Sequence, residues 1–143
     1  MAYSTLDDIK KLLPEETIIQ LTDDENLGVV NQGRVDEAIA QADAEINSYC
    51  ASKYTVPFTT VPAIAKKISV DLAIYNLYSR KVDIIPETRA ERYKNAIRQL
   101  EGISKGTISL GVDPAPAATT EGGAETNITT SDRIFTKDSM GGF

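Results

Sequence analysis

The sequence predicts an all-α fold: a small four- to five-helix bundle, then one short strand and an extended C-terminal tail. Three observations carry this. Apolar residues recur at three- and four-residue spacing in successive windows up to about residue 104. Prolines at 14, 57, 62 and 86 separate those windows. After residue 113 the apolar pattern stops, and Gly, Ala, Thr and Pro take over.

The first helix is predicted over residues 5–13, with Ser4 as N-cap, Asp7 and Asp8 in the first turn, and Leu6, Ile9, Leu12 and Leu13 inward. Pro14 ends it and suits the first turn of a second helix over 15–21. Residues 22–33 read as an acidic, solvated loop. Its Asp23, Asp24 and Glu25 fail the spacing of a calcium-binding loop and have no acidic ligand at the twelfth position.

The strongest helix is predicted over 34–54. Val35, Ala38, Ile39, Ala42, Ile46, Tyr49 and Cys50 form one apolar stripe, and Asp36, Glu37, Asp43 and Glu45 lie off it. The lone Cys50 on that stripe reads as a small buried apolar group. Residues 55–62 hold two prolines and must cross in extended form, with Phe58 plugging the core. Residues 63–82 give a helix whose second half is apolar nearly all round, as expected at the centre of a bundle or at a subunit contact. Pro86 opens a last helix over 87–104, with Ala90, Tyr93, Ile97, Leu100 and Ile103 inward and Gly106 as a left-handed stop. Residues 107–112 alternate as a short strand would. The chain therefore divides into a helical body (1–113), a linker (114–130) and a terminal peptide (131–143).

Composition bounds the function. The 143 residues include no histidine, so the commonest general acid/base is missing. No nucleophile motif or phosphate loop appears, and the paired carboxylates sit at helix starts, where the helix dipole accounts for them. The expectation is a protein that is not an enzyme and needs no cofactor or metal. No apolar run could span a membrane, and no signal region opens the sequence, so cytoplasmic synthesis is expected.

Charge is unevenly placed. The net charge is −8 over residues 1–50, +5 over 51–105 and −3 over 106–143, giving −6 for the chain. The opposite regions either face each other inside one monomer or join neighbouring copies head to tail, a contact that closes into rings. On the second reading Asp36, Glu37 and Asp43 meet Arg89, Arg92 and Arg98 of the next copy. The terminal peptide brings back adhesive groups, Arg133, Ile134, Phe135, Met140 and Phe143, after a linker with no sustained apolar pattern. Treated as a coil, that linker spans roughly 20–25 Å. Such a strap suits grip on a neighbour.

The ordered segments AYSTLDDIKKLLP, IAQADAEINSYCASKYTVPF, VPAIAKKISVDLAIYNLYSR and RYKNAIRQLEGISKGTISLG, closing on DRIFTKDSMGGF, resemble the head–tail adaptor (connector) proteins of tailed bacteriophages, in the Mu-like branch. The resemblance implies a helical ring of about twelve copies at the virion neck. It would dock beneath the portal protein, offer a platform to a tail-completion or tail-terminator protein, and let DNA pass without specific binding. It carries over no catalytic residue. It implies packing roles for Tyr54, Pro57, Tyr93, Ile97 and Leu100.

Overall fold

The computed structural model describes residues 1–81 and 84–116. They form five helices: α1 (Leu6–Lys10), α2 (Glu15–Thr22), α3 (Gln32–Cys50), α4 (Ala63–Lys81) and α5 (Glu87–Lys105). Among the described residues there is no strand. α4 touches all four other helices, so its nearly all-round apolar surface is explained by a central position. α3 and α5 flank it and pack on each other, while α1 and α2 lie across the bundle.

Thr5, not Ser4, caps α1. Its hydroxyl accepts from the Asp8 N–H, and the Asp8 carboxylate accepts from the Thr5 N–H at 3.0 Å, a reciprocal capping box. Ser4 is instead buried, 2.8 Å from the Ser69 hydroxyl of α4. α1 stops at Lys10, earlier than its apolar spacing suggests, and Leu13 turns back to donate to the Ile9 carbonyl. α3 starts at an Asn31 cap and ends at Cys50. Residues 51–54 then form a tight turn that delivers Tyr54 to the core. Phe58 is buried against Tyr3 and Tyr54. Pro57 beside it is exposed, because the crossing presents only one side inward, so its expected packing role is not met.

α5 buries Ala96, Leu100 and Ile103. Tyr93 and Ile97 are only half-buried, so the inward face is rotated from the expected one. Gly106 ends the helix at φ 81°, the left-handed stop read from the sequence. The segment 107–112, expected as a strand, is turn and irregular chain. Thr107 and Ile108 N–H groups return to the Gly102 carbonyl, and the Leu110 N–H donates to the Tyr54 hydroxyl at 3.2 Å. The N–H groups of Thr107, Ile108, Leu110 and Gly111 are met inside the body, and among the described residues the segment forms no ladder. Ala115 still donates to the Lys53 carbonyl at 2.8 Å, so the body holds the chain at least that far.

Candidate subunit-contact surfaces

The charges sort into pairs closed inside the monomer and charges left over. Asp8 on α1 meets Lys66 of α4 at 3.1 Å and Lys11 at 3.2 Å. Asp24 gathers Arg80 at 2.8 Å, with Lys81 and Arg34 each at 3.3 Å. Glu25 holds the Arg34 guanidinium through both oxygens, at 2.7 and 2.8 Å. Asp23 accepts from the Leu27 and Gly28 N–H groups. The loop expected to be merely solvated is therefore a hub fastening α2, α3 and the end of α4 together. Acidic N-terminal residues and basic α4 residues do face each other within one molecule.

Burial and hydrogen bonding act on these carboxylates together. At Asp8 burial pushes the pKa up, but hydrogen bonds from Lys66, Thr5 and Lys11 outweigh it and hold the group at about 2. At Asp24 the bonds from Arg80 hold the carboxyl well below its usual range.

Asp43 does not belong to an outer surface. It is 9% exposed, accepting from the Tyr3 N–H at 2.9 Å and the Ser69 hydroxyl at 2.7 Å. Tyr3 also bonds Asn47 through its hydroxyl, which accepts from the Phe58 N–H at 3.1 Å. This knot locks the N-terminus between α3, α4 and the 55–62 crossing. Burial raises the Asp43 pKa against the two bonds it accepts. The sequence signal missed here was Ser69, a polar residue on the innermost helix facing a carboxylate.

Arg92 and Arg89 also have partners at home. Arg92 reaches Asp71 of α4 at 3.3 Å, and the Asp71 side chain is 2% exposed. Arg89 donates to the Leu12 carbonyl at 2.8 Å, tying the start of α5 to the turn after α1. They are placed as internal braces because the first turns of α5 lie beside α4 and the turn that follows α1. Arg98 differs. It is exposed and, like Lys94 and Lys105, forms no ion pair among the described residues. Asp36 and Glu37 are exposed too, and Asp36 accepts only from Gln32. Arg133, Ile134, Phe135, Met140 and Phe143 lie outside the described residues.

Two grooves flank α3. One, between α3 and α4, is lined by Glu37, Arg34, Gln41, Asn76 and Arg80. The other, between α3 and α5, is lined by Glu45, Tyr49, Tyr93, Ile97, Arg98 and Glu101. Tyr75 of α4 stacks on Tyr93 with ring centroids 3.9 Å apart, extending the aromatic wall. The α3 residues of the two clefts, Glu37 and Gln41 in one and Glu45 and Tyr49 in the other, recur every four residues, so both clefts lie along one face of α3, with Glu37 at its N-terminal half and Lys94 and Arg98 of α5 beside its C-terminal half.

The family model described as "Bacteriophage Mu, Gp36" matches residues 3–128, from the Tyr3 knot through the body. The chain belongs to the Mu Gp36 family. It is similar to the "Mu-like prophage FluMu protein gp36" of Haemophilus influenzae, with 31% identity over 96 residues and 66% of each chain covered. It is also similar to "Gene product J" of Escherichia phage Mu, with 26% identity over 143 residues and 99% of each chain covered. The Mu-like affinity expected from the ordered segments is met. In this chain two of those segments, residues 2–14 and 39–58, meet at the Tyr3–Asp43 knot.

Proposed function

We propose that this Mu Gp36-family protein is a structural component of a tailed-phage virion: a homo-oligomeric ring of about twelve copies at the neck, adapting the portal protein to a tail-completion or tail-terminator protein. The observation that carries the reading is the division of charge. Asp8, Asp23, Asp24, Glu25 and Asp43 are closed inside the monomer, but Asp36 and Glu37 near the start of α3 and Lys94 and Arg98 on α5, beside the end of α3, are left for partners. Unlike charges set apart along the bundle are complementary head to tail, the kind of contact that closes into a ring. Membership of a phage family supports the setting. The net charge of −6 favours a wall that repels passing phosphates. Residues 131–143 serve as the strap to a neighbour.

Electron microscopy of purified virions, with labelled chain, tests this. The expected result is a ring of this protein between portal and tail. A ring at the far end of the tail tube would make it another tail-completion component, and a chain absent from particles would overturn the structural role.

A further inference from the structure

The groove between α3 and α5 has a feature that the ring contact does not use. Glu45 is half-buried in it, and its carboxylate has no partner among the described residues. It engages Ser48 only through its backbone carbonyl, at 2.7 Å. Burial raises its pKa, and it stands close enough to Tyr93 to raise that phenol as well. Around it the cleft, about 270 Å³, offers two aromatic faces (Tyr49, Tyr93), one aliphatic residue (Ile97), a second carboxylate (Glu101) and two cations at the rim (Lys94, Arg98).

A cleft so built selects its occupant by chemistry. A desolvated carboxylate between tyrosine rings favours a guanidinium, which pairs with the charge and stacks on the rings. The rim cations favour an acidic residue beside that guanidinium. Ile97 and the open tyrosine faces favour an aliphatic or aromatic residue next in line. Asp132-Arg133-Ile134-Phe135 supplies these groups in that order.

We propose that the α3–α5 cleft is the docking site for residues 132–135 of a neighbouring copy, with Arg133 directed to Glu45 and Tyr93. The inference rests on the ring reading and deepens it by naming where the strap lands. Ala115 donates to the Lys53 carbonyl one turn beyond Tyr49, so this point of the chain lies near the donor's own cleft. The chain from Ala115 to Arg133 reaches about 60 Å when extended. Its coil length of roughly 20–25 Å approaches the spacing of adjacent bodies of this size. Effective concentration is greatest when linker length matches the span, which favours the neighbour's cleft over its own.

The test uses full-length chains, half isotopically heavy, carrying the photo-reactive substitution Lys94→benzoylphenylalanine at the rim. After assembly and irradiation, mass spectrometry identifies the linked peptides. The expected product joins the α5 peptide of one copy to residues 131–137 of another, as light–heavy pairs. Glu45→Arg or Arg133→Glu should lower its yield about tenfold. The double exchange should restore most of it, with circular dichroism confirming unchanged helix content. Links only within one chain, or none in an assembled ring, would overturn the docking site and leave the ring standing. An unsubstituted chain that never assembles would remove the ring reading itself, and the neighbouring copy with it.

Discussion

Asp8 and Asp43 show how the same residue type is driven in opposite directions by its surroundings. Asp8 is buried but accepts from two lysines and a cap, and its pKa falls to about 2. A lowered carboxyl stabilises the fold above the unfolded value near 4, and that contribution is lost as pH falls towards 2. Asp8→Asn is expected to cost on the order of 1–2 kcal/mol at pH 7 in urea unfolding, with the gap closing at pH 2. Asp43 has the opposite sign. Its raised pKa means its charged form is penalised by folding, so its contribution is present at low pH and lost as pH rises through the folded value. Yet its two hydrogen bonds fix the N-terminus. Asp43→Ala leaves the Tyr3 N–H unpaired in the interior and the Ser69 hydroxyl with Ser4 as its remaining partner, and should cost about 1–3 kcal/mol at pH 7. Cys50 illustrates the bland case: burial pushes its thiol up to about 11, as the sequence reading of a small apolar group requires.

The three long helices were legible in outline because each carries a long apolar stripe and an identifiable stop. Pro86 opened α5 and Gly106 closed it where expected. The short elements were not. α1 was read too long because Leu12 and Leu13 keep helical spacing although only Leu13 is buried. The strand at 107–112 was read from alternation, but its hydrogen-bonding groups have nearer partners. Gly102 belongs to this element-scale logic. A Cβ there would lie 2.6 Å from the Ile108 Cδ1, so Gly102→Ala should force Ile108 off the helix and loosen the segment after it. Gly106→Ala would place a side chain at positive φ, with an expected loss of about 1 kcal/mol. Thermal unfolding of both variants separates strain at the cap from displacement of Ile108. If Gly102→Ala melted like the parent, the packing of 107–110 on α5 would be shown to contribute little.

At the scale of the whole molecule, the uncommitted charges predict how copies meet. Arg98→Glu should weaken self-association with little effect on monomer stability, since Arg98 has no ion pair among the described residues. Arg92→Glu should instead destabilise the monomer, because it sets a carboxylate against the buried Asp71. Sedimentation and urea unfolding of the pair check the distinction; equal monomer destabilisation would refute it. Deleting 131–143 is expected to leave helix content and monomer stability nearly unchanged and to abolish assembly.

The sequence by itself determined the helical class, the extents of α4 and α5 but not the end of α3, the burial of Cys50 and Phe58, and the Mu-like kinship, because periodicity, prolines and glycines act locally. The tertiary structure alone decided which charges remain free. Asp43, Arg89 and Arg92 look like surface charges along their own helices, but packing brings each a partner from a distant segment, and pairing is a property of distance in space.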